Sequence, residues 1–120
     1  MADISQLNDL EGFVGGCLVD SDSGLILGTQ GENNFDLSTA AAGNAEVVKA
    51  KRKTMKALGI AGGIEDILIT LDKQYHLIRL LSSNDAIFLY VVIDKARGSL
   101  GMARAVAKKV AESLDLSKLK

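Results

Sequence analysis

Residues 87–93 are apolar at every position, and this run constrains the fold more than any other segment. Successive side chains of a strand point to opposite faces of a sheet, so the run predicts a strand that is buried on both faces. It is far too short to cross a membrane. We therefore expect a sheet that has helices packed on both of its faces.

Turn residues and hydrophobic spacing divide the rest of the chain into elements. Three predicted strands follow one another without a helix between them, which indicates an antiparallel meander. The order α-β-β-α-β-β-β-α predicts an α/β protein with one five-stranded, mainly antiparallel sheet. The helices are predicted at residues 3–11, 37–58 and 99–114, the strands at 13–20, 25–28, 65–71, 75–81 and 86–93, a hairpin turn at 21–24 and a polar loop at 29–35.

The helix predicted at residues 37–58 has a broader apolar stripe than one packing partner needs. Asp36 is placed to cap its N-terminus, and Gly59 is placed to end it. A helix that covers its own sheet and also meets a second helix would have this pattern, and so would a helix in a tight monomeric core. The stripe comprises Leu37, Ala40, Ala41, Ala45, Val47, Val48, Met55 and Leu58, with Asn44 and Lys51 inside it.

Length and composition are typical of one globular domain, which we assign to residues 1–120. Apolar residues make up 48% of the chain and charged residues 24%. The N-terminus has no basic, apolar or cleavage segment, so we expect a cytoplasmic protein. The single cysteine, Cys17, lies in an apolar strand and is expected to be a buried, inert thiol.

Charge is distributed unevenly along the chain. Residues 1–36 contain seven acidic residues and neither Lys nor Arg, whereas the remainder has a net charge of +6. Four basic residues, Lys49, Arg52, Lys53 and Lys56, fall within about a quarter-turn of the long helix. They form either a solvated face or a surface for an acidic protein partner. Nucleic acid is not an expected partner, because stacking on bases needs aromatic residues and the chain has only five.

The chain lacks the motifs of common catalytic and metal sites. It has no Gly-x-x-x-x-Gly-Lys-Ser/Thr loop for nucleotide phosphates, and one histidine with one cysteine cannot form a zinc site. His76 is interpreted as a structural residue of a strand. Ser99 is interpreted as a helix cap rather than as part of an anion site. We expect no catalytic residue, no cofactor and no metal.

Three stretches resemble the roadblock / dynein light chain family in its bacterial stand-alone, gliding-regulator form. They are residues 15–27 (GGCLVDSDSGLIL), the Ala/Leu-rich helix from Leu37, and residues 94–104 (DKARGSLGMAR). The last stretch is similar to the family's closing N-L-G-x-A-R, with Ser99 in place of the frequent Asn. The first is similar to the family's D-x-D-G hairpin, with one residue more. The resemblance spans essentially the whole chain.

The resemblance implies a profilin-like α/β/α sandwich that forms a homodimer. In the family, the strand after the long helix pairs with its twin, and the long helices meet on one face. The sequence agrees, because the Pro-free stretch 65–71 would be a poor edge to leave exposed. It is apolar at Ile67, Leu68, Ile69 and Leu71. Residues 25–28 are the other expected edge. The predicted dimer interface comprises Ala41, Asn44, Ala45, Val48, Glu65, Ile67, Leu68, Ile69 and Leu71.

The resemblance also implies a function, because members of this family regulate Ras-like small GTPases without a phosphate-binding loop of their own. We therefore expect a non-catalytic homodimeric regulator or co-activator of a small Ras-like GTPase. Its partner-binding surface would lie on the paired long helices, at Lys49, Arg52, Lys53 and Lys56. The alternative is a scaffold or adaptor in a signalling or motor complex, without effect on nucleotide turnover. A small-ligand sensor is a third class, which no polar cluster in the sequence supports.

Overall fold

A computed structural model describes residues 3–31 and 35–114 of the chain. A short 3-10 helix over Ser5–Asp9 precedes the first strand. The other elements, in chain order, are β1 (Phe13–Asp20), β2 (Ile26–Gly31), α1 (Leu37–Ala57), β3 (Asp66–Thr70), β4 (Gln74–Leu80), β5 (Ile87–Asp94) and α2 (Leu100–Ser113).

The five strands form one sheet in the order β2-β1-β5-β4-β3. Every pairing between neighbouring strands is antiparallel, as predicted. The apolar run at residues 87–93 forms most of β5, which is the central strand and is buried along this run. The two edges are β2 and β3, which are the two edges expected from the sequence.

Helices cover both faces of the sheet, so the predicted α/β/α sandwich is confirmed. On one face, Ala41, Ala45 and Val48 of α1 pack against residues such as Phe88 and Tyr90 of β5. On the other face, α2 and the 3-10 helix pack against a second set. That second core includes Leu7, Leu18, Leu77, Leu89, Val91, Ala103, Ala107 and Val110.

Two of the predicted elements differ from the structure. The predicted first helix is a five-residue 3-10 helix, in which Leu7 is buried in the core under α2 and the Asp3 carboxylate accepts hydrogen bonds from Ser5. β2 continues to Gly31, so residues 29–31 are strand and not loop. These residues pair with β1, which satisfies their backbone groups. The remainder of the predicted loop at 32–34, like residues 1–2 and 115–120, lies outside the described residues.

Local capping fixes both ends of α1 and the start of α2. The Asp36 carboxylate accepts a hydrogen bond of 3.0 Å from the N–H of Thr39, and the Ser99 hydroxyl accepts one of 3.2 Å from the N–H of Met102. Gly59 has φ of 71° directly after the last turn of α1, a conformation that glycine adopts easily. The caps predicted from the sequence are confirmed.

Candidate interaction surfaces

The inner face of α1 packs against the chain's own sheet and is buried by it. Ala41, Ala45 and Val48 are 0%, 2% and 0% exposed, and Asn44 is also buried. The resemblance implied that these four residues lie at a dimer interface, where the long helices of two copies meet. In the structure they are buried against strands of the same chain, so an interface through α1 would have to use other side chains. The dimer itself stays a prediction.

The opposite face of α1 carries an exposed row of small, mostly apolar residues, which we call the outer stripe. At 100° per residue these positions fall within about 40° of one line along the helix. A side chain built at Gly43 would meet nothing within 4 Å, so the stripe begins in open space. Leu58, at the end of the helix, is 67% exposed beside it. The outer stripe comprises Gly43, Val47, Ala50, Thr54 and Ala57, all of them exposed.

Three of the four predicted partner-binding residues lie along one flank of the outer stripe. Lys49, Lys53 and Lys56 are exposed, and we call them the lysine row. Lys49 also lies 3.7 Å from the Glu46 carboxylate, a surface pair that contributes little to stability. The lysine row is accessible to a partner of opposite charge.

Arg52, the fourth predicted partner-binding residue, has a different position. Its side chain is half-buried, and Nη1 donates to the Ser21 hydroxyl at 3.3 Å. Nη2 donates to the carbonyl of Asp85. Arg52 therefore joins α1 to the β1–β2 turn and to the β4–β5 loop. These bonds hold its guanidinium against its own chain.

β3 is an open edge whose backbone groups alternate between β4 and solvent. Glu65 accepts a hydrogen bond from Leu80, and Leu71 donates one to Gln74, so these odd-numbered residues face β4. The pairing of β3 with β4 continues between them without a register shift. In an antiparallel ladder the intervening residues point their N–H and C=O groups away. The outward-facing residues are Asp66, Leu68 and Thr70.

Side chains of β3 alternate between the two faces of the sheet. Ile67 packs with the core under α1, and Leu68 packs with the core under α2. Asp66 lies on the α2 side, where its carboxylate is 3.3 Å from Arg104 Nε and 3.9 Å from Arg79 Nη1. Ile67, Leu68 and Ile69 are only half-buried in the single chain, which leaves apolar surface at the edge.

Flanking residues Glu65 and Leu71 complete the predicted interface on this strand. Both are exposed, and Leu71 is 42% exposed although it is a large apolar residue. The structure therefore brings Glu65, Ile67, Leu68, Ile69 and Leu71 together at one accessible edge. The inner-face residues of α1 lie in the core instead, and Ile67 packs against the cluster that contains them.

A chain of polar side chains crosses the sheet under α1 and was missed in the sequence. His76 Nδ1 lies 2.8 Å from the Tyr90 hydroxyl, and His76 Nε2 lies 2.8 Å from Gln74 Oε1. Burial lowers the pKa of His76. Burial also raises the pKa of Tyr90 to about 12, against an opposing hydrogen bond from Asn44. The prediction that His76 is structural agrees with this geometry, and alternate polar residues on β4 were the available signal.

The described residues provide neither an ionised thiol, nor a cluster of metal-binding side chains, nor a membrane-spanning helix. Cys17 is fully buried, and burial raises the pKa of its thiol to about 12, so it stays protonated at neutral pH. Residues 3–31 and 35–114 contain no group of three His, Cys, Asp or Glu side chains that could hold a metal ion. No helix in these ranges is long and apolar enough to span a bilayer.

Comparisons with known proteins identify the fold. No protein-family model and no curated protein matches the chain. Among solved structures, the Roadblock/LC7 domain from Streptomyces avermitilis matches with a TM-score of 0.79 at 15% identity, covering 96% of this chain and 92% of that one. Myxococcus xanthus MglB matches with a TM-score of 0.78 at 23% identity, covering 95% and 88%.

A third solved structure agrees with these two. The gliding protein MglB from Thermus thermophilus matches with a TM-score of 0.76 at 18% identity, covering 91% of this chain and 80% of that one. Identities this low establish similarity of fold only. The resemblance noted in the sequence is therefore confirmed at that level: this chain has the fold of the roadblock/LC7 domain proteins, including the MglB gliding regulators.

Proposed function

We propose that this protein is a non-catalytic homodimeric regulator of a small Ras-like GTPase, which it binds through the exposed face of α1. The observation that carries the proposal is the outer stripe with the lysine row along its flank. The class of partner comes from the family that the sequence resembles. The roadblock/LC7 fold is consistent with this class but does not identify a partner.

The outer stripe suits a protein partner better than a small ligand. A row of Gly, Ala and Thr side chains is shallow, and it allows a helix or strand of another protein to approach closely. Small molecules generally bind in concave pockets with convergent polar groups, and a shallow row of small side chains suits them less. The lysine row would attract a partner with acidic residues and would accelerate the encounter more than it stabilises the complex.

Dimerisation would place two such surfaces in one particle. The open edge of β3 offers unpaired backbone groups and half-buried apolar side chains, and such edges are generally paired or protected. An isologous dimer would repeat the outer stripe and the lysine row about a two-fold axis. Two copies of the surface could bind one GTPase asymmetrically or two symmetrically.

A scaffold without effect on nucleotide turnover is the second candidate function. The same exposed helix face would serve it, since joining two proteins needs only a binding surface. The two functions differ in what happens to the partner's nucleotide. Regulation changes the rate of GTP hydrolysis or of nucleotide exchange, whereas a scaffold binds and leaves both rates unchanged.

The test of regulation begins with the Ras-like GTPase that co-purifies with the protein from its native host. GTP hydrolysis and nucleotide exchange by the purified GTPase are measured with and without this protein. We expect one of the two rates to rise. Binding without a change in either rate would support the scaffold instead. If no Ras-like GTPase binds, the proposed function is wrong.

The dimer is tested separately by analytical ultracentrifugation of two matched variants. Leu68→Pro removes an outward-facing N–H without removing a bond to β4, and proline is tolerated at such positions of edge strands. Leu68→Ala truncates the same side chain but keeps the N–H. We expect wild type and Leu68→Ala to sediment as dimers and Leu68→Pro to shift toward monomer. A wild type that is monomeric at tens of micromolar, roughly the range of ordinary assays, would contradict the dimer.

A further inference from the structure

The end of α1 and the residues after it form an apolar tip, a name we use for residues 57–63. All seven are exposed. Leu58 is 67% exposed and Ile60 is 53% exposed, so two large apolar side chains lie close together in water. A Cβ built at any glycine of the tip would meet nothing within 4 Å. The tip therefore stands in open space as a convex apolar surface.

Backbone hydrogen bonds fix the shape of the tip. The N–H of Ile60 donates to the carbonyl of Met55 at 2.9 Å, and the N–H of Gly59 donates to the carbonyl of Lys56 at 3.1 Å. These two bonds pair carbonyls that the C-terminus of a helix otherwise leaves free. The tip can therefore enter an apolar medium at a lower cost, because fewer unpaired backbone groups enter with it.

Exposed lysines flank the base of the tip, and we call them the basic collar. The last two turns of α1 carry Lys51, Lys53 and Lys56, and all three are exposed. At 100° per residue, Lys51 and Lys56 are about 140° apart around the helix, so cations lie on two sides of the tip. The sequence from Val47 to Ile64 contains no acidic residue.

Acidic residues of the neighbouring segments lie on the sheet side of the tip. Glu65 and Asp85 line a cleft between Ile64 and the end of β4, and Asp85 also lines a second cleft beside Ile60. Arg52 lines that second cleft and donates to the carbonyl of Asp85, so a cation accompanies these carboxylates. On the outer side of the last two turns of α1, the charged residues are all lysines.

We propose that the apolar tip and the basic collar bind the surface of a bilayer that contains anionic lipids. Segments that lie on membranes combine apolar side chains, which enter the boundary between headgroups and acyl chains, with lysines that attract anionic headgroups. A bilayer accepts a convex tip without a matching cavity, which a folded protein partner would have to supply. Two aliphatic side chains and three lysines predict reversible binding and not stable anchoring.

This membrane site does not depend on the proposed function, although it adjoins the surface proposed for the GTPase. Lys53 and Lys56 belong to both the basic collar and the lysine row. A bilayer bound at the tip would therefore compete with the GTPase for these two side chains. Binding to vesicles is measured without a GTPase, so failure of the membrane site and failure of the proposed function are distinguishable.

Co-sedimentation with vesicles tests the role of the tip. We expect wild type to bind vesicles of phosphatidylcholine mixed with phosphatidylglycerol and not vesicles of phosphatidylcholine alone. Leu58→Ser/Ile60→Ser should weaken this binding by at least about tenfold, because it removes the apolar side chains that enter the bilayer. Leu25→Ser is the matched control, since Leu25 is 66% exposed just before β2. Absence of wild-type binding to the mixed vesicles, or equal binding by the tip variant, would overturn the proposal.

The same assay tests the basic collar. Lys51→Glu/Lys56→Glu should weaken binding by more than about twentyfold, since each lysine near an anionic surface strengthens binding by about fivefold. Lys108→Glu/Lys109→Glu makes the same change in net charge on α2 and should have a smaller effect. Added salt should release wild type from the vesicles. Equal loss in the two charge variants, or binding that salt does not weaken, would overturn the proposal.

Fluorescence of a single introduced tryptophan reports insertion directly, because the chain has no tryptophan of its own. In Ile60→Trp, the emission should shift to the blue on addition of the mixed vesicles and should be quenched by brominated lipid. Leu25→Trp is the control and should change little. Emission of Ile60→Trp that stays as in water would overturn the proposal. So would a tip variant that binds vesicles normally and loses binding to the co-purified GTPase, because the tip would then belong to the protein-binding surface.

Discussion

The hydroxyl of Tyr90 lies 2.8 Å from Nδ1 of His76, and this pair joins the central strand β5 to β4 under α1. The other ring nitrogen of His76 lies beside Oε1 of Gln74, which can only accept a hydrogen bond. Nε2 of His76 therefore carries a proton. Burial lowers the pKa of His76 and so favours the neutral imidazole, in which Nδ1 accepts from the Tyr90 hydroxyl.

Stability should therefore depend on pH through His76, the only histidine in the chain. Because the pKa of His76 is lower in the folded than in the unfolded protein, the unfolded protein binds more protons as pH falls. The contribution of His76 is complete above the ordinary histidine pKa and is lost as pH falls through it toward the lowered value. Unfolding by urea at several pH values measures this loss. His76→Gln should flatten the pH dependence in this window, and an unchanged slope would contradict the prediction.

Arg52 should matter for stability, unlike the exposed lysines beside it on α1. Arg52→Ala removes the bonds to the Ser21 hydroxyl and the Asp85 carbonyl, so we expect a loss of about 1–2 kcal/mol in the free energy of unfolding. Lys53→Ala, one residue further and exposed, is the matched control and should change it by under about 0.5 kcal/mol. Denaturant unfolding of both variants measures the difference. Equal effects would mean that the contacts of Arg52 contribute nothing.

Two glycines should respond in opposite ways to the same substitution. A Cβ at Gly98 would lie 2.8 Å from the carbonyl oxygen of Glu11 and would overlap Ile93, so Gly98→Ala should destabilise by about 1–3 kcal/mol. A Cβ at Gly43 would meet nothing within 4 Å, so Gly43→Ala in the middle of α1 should stabilise the monomer by about 0.5–1 kcal/mol. Thermal unfolding of the two variants tests this, and a neutral Gly98→Ala would contradict the close packing.

The lysine row should set the rate of association with an acidic partner. Lys53→Glu/Lys56→Glu reverses two exposed charges, so we expect slower binding to the co-purified GTPase and a weaker dependence of that rate on salt. Lys108→Glu/Lys109→Glu on α2 makes the same change in net charge on the other side of the sheet. Stopped-flow measurements should show slowing mainly in the first variant. An equal effect in both would indicate a response to net charge. No effect in either would mean that the GTPase binds a surface other than the lysine row.

Local signals in the sequence determined most of the architecture. Caps at Asp36 and Ser99 and the glycine after α1 depend on residues within one helical turn, so they can be predicted without knowledge of the fold. The apolar run in β5 and the turn-sized linkers around β4 predicted the sheet for the same reason. The 3-10 helix and the extension of β2 were missed because pairing and packing with distant segments decided them.

The interaction surface could be predicted only in part. Helical spacing placed Ala45 and Val47 in one broad stripe, but it could not assign which side of that stripe faces the sheet. Packing against β5 buried Ala45 and left Val47 on the outer stripe. Likewise, charge spacing grouped Arg52 with the lysines. In the structure, its guanidinium instead bonds to two loops that are distant in the sequence.

The sequence by itself thus determined the elements, their order and the layered architecture, because periodicity, capping and turn chemistry act over a few residues. Only the tertiary structure decided which face of α1 remains exposed and which backbone groups of β3 remain unpaired. Both depend on the positions of segments far apart in the chain. The surfaces available to partners follow from that packing, since they are what the single chain leaves uncovered.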